Sequence, residues 1–280
     1  MKGLADLWAR FARNRPAVAG LAILVLIAAI ALLAPLLYPG DPLKLVARPR
    51  LWPFEDARFP LGTDRLGRDM MALMFHGARV SLLIGLVASA TATLVGCTIG
   101  AAAGYFGRWV DDVLMRVTEI FQTIPHFLFA LVLVAVLGPA RSSVIIAIAV
   151  VTWPSIARLV RAEALSLRER EYVLSCRAAG MGNLRIIATQ ILPNALPPII
   201  VLSSVIVAVA ILVESALSFL GLGDPNVPSW GTVIGDGREV LRTSWYISLI
   251  PGIAILLSVL AINLVGEGLN DALNPRLKER

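Results

Sequence analysis

Six long apolar runs, separated by polar stretches, dominate the pattern of this chain: Pro16–Leu37, Val80–Gly104, Glu119–Leu137, Ser142–Val160, Leu196–Leu220 and Trp245–Val265. A helix needs about 20 mostly apolar residues to cross roughly 30 Å of hydrocarbon, so each run is long enough to span a membrane. The expected fold class is an all-α membrane protein with six transmembrane helices. Lys2, Arg10, Arg13 and Arg15 precede the first run, as they would in a signal peptide. Its apolar core is longer than a typical signal core and no small-x-small cleavage site stands out, so it reads as a retained anchor.

The polar stretches set the orientation. With the N-terminus inside, the inner segments hold 15 of the 25 Lys and Arg, including the six from Arg158 to Arg185. The positive-inside rule therefore places both termini in the cytoplasm, against a local excess of seven cations in the outer loop Tyr38–Arg79. Composition agrees: 58% of the 280 residues are hydrophobic and 16% charged, where soluble domains carry about a quarter charged residues. A net charge of +6 suits nucleic acid or a membrane, and the apolar content decides for the membrane. Two His and two Cys leave little scope for a metal cage, and no metal site is expected. Cys97 falls within a span and Cys176 in an inner loop, so no disulfide is expected between them. The chain divides into 1–79 (N-terminal segment, first span and outer loop) and 80–280 (a core of five spans).

The inner loop between the fourth and fifth runs reads as helix, glycine corner, helix. Ser166 and Glu169 have capping-box spacing, which predicts a helix from about Leu167. Gly180 suits the position after a helix end, since it accepts positive φ. Asn183 is placed to cap a second short helix through Leu192, and Pro193, lacking an amide hydrogen, predicts a stop or bend. The corner Ala178-Ala-Gly-Met-Gly182 is small and nearly uncharged. Such a knob suits a groove on a partner; the alternative is an amphipathic connector lying at the lipid headgroups.

Glu171-Tyr-Val-Leu-Ser-Cys-Arg-Ala-Ala-Gly180, followed by Gln190-Ile-Leu-Pro-Asn-Ala-Leu-Pro197, resembles the EAA loop of ABC importer permeases. Gly180, Leu192 and Pro193 match that pattern in spacing; Leu174-Ser175-Cys176 stands in place of Glu-Ala-Ala, so the motif's acidic role does not carry over. Phe59-Pro-Leu-Gly-Thr-Asp-Arg-Leu-Gly-Arg-Asp69, Leu217-Ser-Phe-Leu-Gly-Leu-Gly223 and Pro228-Ser-Trp-Gly231 resemble the dipeptide, oligopeptide and nickel branch of that family. The resemblance implies a bacterial inner-membrane permease that pairs with a second, related permease, two ATPase subunits and a periplasmic or lipid-anchored binding protein. It implies peptides as cargo, with nickel chelates or glutathione-like compounds next. It also implies ATPase contact at or beside Arg177, Ala178, Ala179, Gly180 and Met181, and a periplasmic docking surface around Asp64, Arg65, Arg68 and Asp69, for which turn and salt-bridge chemistry is the plainer reading.

The chain has no G-x-x-x-x-G-K-[ST] loop, so ATP and Mg are expected only in partner subunits and the chain itself is expected to be no enzyme. G-x-S-x-G and H-E-x-x-H are also absent. Glu214 is an in-span charge, costly unless it faces a bundle interior or water. It reads as a cavity-lining or gating group with Ser218, or as an interhelical hydrogen bond. His126, beside a possible kink at Pro125, reads as packing or as a substrate contact. The rival function is a secondary transporter or channel using Glu214 and His126, against which stand scarce in-span charge and no inverted repeat.

Overall fold

The structure, a computed structural model, describes residues 8–273; Lys2 and the basic cluster Arg276–Arg280 lie outside them. Ten α-helices carry the argument: α1 (Arg15–Leu37), α2 (Met70–Phe106), α3 (Arg108–Thr123), α4 (His126–Leu137), α5 (Arg141–Arg168), α6 (Glu171–Ala178), α7 (Asn183–Ile186), α8 (Leu192–Phe219), α9 (Trp230–Gly237) and α10 (Tyr246–Leu273). Among the described residues, five helical stretches are long and apolar enough to cross a membrane, and the bent pair α3–α4 makes a sixth if counted as one span.

The helices differ from the apolar runs where polar chemistry intervenes. Asp69 caps α2 by accepting a hydrogen bond from the Met71 amide at 2.8 Å, so the helix starts ten residues before Val80. The third run is not one rod. Ile124 is extended (φ −92°, ψ 131°) and α4 leaves α3 at 86°, because Pro125 lacks an amide hydrogen and drives the preceding residue out of helical conformation. The Ser166–Glu169 capping box does not form: α5 runs on through both Leu167 and Arg168, and α6 restarts at Glu171 without a side-chain cap. Asn183 is the first residue of α7 rather than its cap, and Gly182 precedes it. Pro193 does not end the helix. A π turn at Ile187–Ile191 carries α7 into α8, leaving Pro193 in the first turn of α8, where a missing amide is tolerated.

In lipid, helices associate through close van der Waals packing rather than a hydrophobic drive, so small residues mark the tightest seams. Gly96, Gly100 and Gly104 form such a seam on α2 against α5. A β-carbon at Gly100 would lie 2.3 Å from the Ala157 carbonyl oxygen; at Gly104 it would lie 2.6 Å from that of Arg161. The buried core around this seam joins Tyr105, Ile156, Ala157, Val160 and Ala164 to Val173, Ile186 and Ile191 of the inner loop. α1 packs on α10, with Gly20 against Ala261 and Gly268 against Ala17.

Gly100→Leu should therefore force the α2–α5 seam apart, at a cost of about 3 kcal/mol or more. The measurement is the thermal unfolding midpoint and the monodisperse yield in detergent. Gly252→Ala, where nothing lies within 4 Å of the new β-carbon, should match or exceed wild type.

Candidate functional site

Two polar assemblies stand at opposite ends of the bundle. At the inner end, α6 closes in a Schellman motif. The Gly180 amide donates to the Arg177 carbonyl and the Met181 amide to the Cys176 carbonyl, both at 3.0 Å. This geometry puts Gly180 at φ +78°, which costs a residue with a β-carbon strain that glycine escapes. Arg177, Ala178, Ala179 and Gly180 are exposed and Met181 is half-buried, so the corner projects from the bundle. Open space surrounds a β-carbon built at Gly180. The glycine thus answers to backbone conformation within this chain.

The arms beneath the corner are fixed. Val173 and Ile186 are fully buried against α5. Arg161 of α5 grips Asp111 of α3 with two parallel bonds, Nε to Oδ1 at 2.5 Å and the second nitrogen to Oδ2 at 2.6 Å, a fork geometry that sets orientation as well as energy. Arg168 donates to the Gly104 carbonyl at 3.0 Å. Neither arginine, nor the glycine seam, was singled out from the sequence, although Gly96-x-x-x-Gly100-x-x-x-Gly104 carries a recognisable helix-packing spacing.

At the outer end, Glu214 is fully buried and its carboxylate accepts from Ser218 at 2.8 Å, from Ser81 of α2 at 3.1 Å and from Ser215 at 3.4 Å. Ser81 in turn accepts from the Trp230 amide at 3.3 Å, and the Trp230 indole donates to the Met74 carbonyl at 3.1 Å. α9 begins there because Ser229 and Thr232 make a reciprocal capping box. A β-carbon at Gly231 would lie 2.6 Å from the Ser215 backbone, so α9 rests directly on α8. The carboxylate thus joins α2 to α8, and through Ser81 the network reaches the start of α9. His126, by contrast, is exposed at the start of α4 and reaches neither assembly.

The four outer-loop residues divide by burial. Asp64 is buried; its Oδ1 accepts from the Leu66 and Arg68 amides, each at 2.8 Å. Burial pushes its carboxyl above the usual range, opposed by those bonds and by Arg68. Burial also raises Asp69, the α2 cap. Arg65 bridges Asp236 and Glu239, both at 3.2 Å, and Arg68 lies 3.7 Å from Asp236. Tyr246 shares its hydroxyl between the Leu51 and Thr63 carbonyls at 2.6 and 2.8 Å. The loop is thus folded onto α9 and α10 by turn and ion-pair chemistry. A cavity of about 320 Å³ opens beside it, bordered by Asp64, Arg65, Arg68, Ser218, Asp236 and Glu239.

The fold is that of an ABC importer permease subunit. It superposes on a chain of the inward-facing MetNI methionine ABC transporter with a TM-score of 0.60 at 16% identity, over 73% of this chain and 98% of that one. Residues 96–279 match the model of the binding-protein-dependent transport system inner membrane component, and residues 4–53 that of the N-terminal TM domain of oligopeptide transport permease C. The chain belongs to this family of inner-membrane transport components. It is 42% identical to the di/tripeptide transport system permease DppC of Pseudomonas aeruginosa, over 98% of this chain and 93% of that protein. It is 41% identical to the dipeptide transport permease of Alkalihalophilus pseudofirmus over 95% and 88%, and 36% identical to the glutathione transport permease GsiD of Pectobacterium atrosepticum over 98% and 91%.

Two substitutions test the outer assembly. Asp64→Asn keeps an oxygen for the two amides and removes a costly buried charge, so it should change stability little, whereas Asp64→Ala strands both amides at about 1–3 kcal/mol. Glu214→Ala should cost a similar amount by leaving Ser81 and Ser218 without their acceptor, and Glu214→Gln should cost less. Thermal unfolding in detergent ranks the four variants.

Proposed function

We propose that this chain is the permease subunit of an ATP-driven peptide importer. Di- and tripeptides are the preferred cargo, in line with the relatives of 41 and 42% identity. It works beside a second related permease, with two ATPase subunits on the cytoplasmic side and a periplasmic or lipid-anchored binding protein outside. ATP and Mg belong to the ATPase subunits, and both termini face the cytoplasm. The observation that carries the reading is the Gly180 corner: small, uncharged, exposed, closed by a Schellman motif and mounted on arms packed into α5. An exposed, rigidly mounted knob is what a groove on a moving partner requires. Arg177, Ala178, Ala179, Gly180 and Met181 form that contact or its margin.

ATP binding draws the ATPase subunits together, and the corner passes the movement to the spans. At the outer end, Arg65 and Arg68 border the cavity against which the binding protein docks, while Asp64 and Asp69 hold the loop in shape. Glu214 and Ser218 act by latching α9 over the bundle, and the pathway opens when that latch shifts. His126, exposed at the start of α4, contacts cargo.

The test is a mild-detergent pull-down of the tagged chain from native membranes, with mass spectrometry of its partners. A second permease and P-loop ATPases should come along. Gly180→Asn separates the two demands on the corner. Asn tolerates positive φ, so membrane insertion and thermal stability should hold. Its side chain obstructs close approach by a partner, so peptide uptake should fall severalfold. Wild-type uptake in this variant, or a chain recovered alone under conditions that preserve other ABC complexes, would reject the docking reading.

A further inference from the structure

Tyr105 is buried at the inner end of α2, one residue before the helix ends. Its hydroxyl donates to Asn183 Oδ1 at 2.9 Å and accepts from Arg177 Nε at 3.3 Å. The Arg177 guanidinium also lies over the phenol ring, with Cζ 4.7 Å from its centre, a favourable cation–π placement. Arg177 belongs to α6 and Asn183 to α7, the two arms on either side of Gly180. One phenol therefore holds both arms at once, and Arg177, though exposed, reaches back to α2.

The remaining attachments of the corner are of another kind. Val173, Ile186, Ile187 and Ile191 share one apolar cluster with Ala157, Val160 and Ala164 of α5 and Ala101 of α2. Apolar contact is non-directional and tolerates sliding or rotation. Hydrogen bonds weaken steeply as their angles open, so they convert a rotation of the corner into a displacement of whatever they hold. On α2 that element is the 37-residue helix that also carries the glycine seam, Ser81 of the outer latch and the Asp69 cap.

We propose that Tyr105 is a positioning residue for energy coupling: its hydroxyl, bonded to Arg177 and Asn183, makes α2 follow the Gly180 corner. The proposal rests on the corner being the ATPase contact. Tyr105→Phe then leaves the ring and the cation–π contact in place, leaves ATPase subunits bound, and uncouples α2 from them. Asn183→Ala produces the same defect from the other side of the bond, Asn183→Asp retains an acceptor and spares it, and the double variant Tyr105→Phe/Asn183→Ala is no worse than either single one.

Hydrogen exchange of the purified complex, with and without saturating ATP, reads both steps. In wild type, ATP should slow exchange in residues 174–190 and in residues 100–107, each by about fivefold. In Tyr105→Phe and in Asn183→Ala the first response should persist and the second disappear, at equal yields of complex. An undiminished response of 100–107 in both variants overturns the proposal alone. If 174–190 fails to respond in wild type, or responds undiminished in Gly180→Asn, the corner is not the ATPase contact and the proposal falls with that reading. Should Tyr105→Phe assemble poorly, Asn183→Ala tests the same bond with the tyrosine intact.

Discussion

The close approach of α2 to α5 along Gly96, Gly100 and Gly104 is the contact on which the other features depend. Water supplies no force to join two helices whose surroundings are as apolar as their side chains, so backbone proximity must supply it. With no side chains in the way, the Ala157 and Arg161 carbonyls of α5 sit where β-carbons of α2 would otherwise be. The seam ends at the inner surface, where polar chemistry takes over. Arg161 reaches Asp111 and Arg168 reaches the Gly104 carbonyl, both from the last turns of α5. The corner's apolar arms then pack on the same stretch of α5. A glycine stripe deep in the bundle thus fixes the platform from which the exposed Gly180 corner projects.

The two ends of the bundle solve the same problem with different groups. Inside, charge is handled by bidentate pairing, as with Arg161 and Asp111, near water. Outside, Glu214 forms no ion pair among the described residues and is held by three serine hydroxyls. A carboxylate with several donors can be buried; one without them is expensive. Those donors come from both α2 and α8, and Ser81 also accepts from the Trp230 amide, so one hydroxyl links the carboxylate to the start of α9. The burial cost is therefore what makes the latch specific.

Much of this was legible from the chain alone. The apolar runs located α1, α2, α5, α8 and α10, Gly180 was recognisable as a helix exit, and the three motif segments pointed to the family. What the sequence concealed was relational. Whether Ser166 and Glu169 cap a helix depends on whether α5 has already ended, and α5 runs through Ser166 to Arg168, leaving Glu169 at its C-terminal end. Pro193 looked like a stop because proline removes a hydrogen bond, but a π turn already omits one there. Pro125 looked like a kink within one span, but Ile124 before it is extended and α4 leaves α3 at 86°. Asp64 and Arg65 are adjacent in sequence, yet one is buried under the loop and the other faces Asp236; only the fold separates them.

The length of α2 connects these observations. At about 1.5 Å per residue, its 37 residues extend roughly 55 Å, well beyond the hydrocarbon thickness. It begins at the Asp69 cap in the outer loop, passes Ser81 beside the Glu214 latch, carries the glycine seam through the middle and ends at Tyr105 against the corner. Its helical hydrogen bonds are all internal, and it has no proline to bend it, unlike α1, α5, α8 and α10. A proline-free helix that touches both polar assemblies can carry a displacement from one to the other, as can the continuous helical stretch Asn183–Phe219, which runs from the corner's second arm to Glu214.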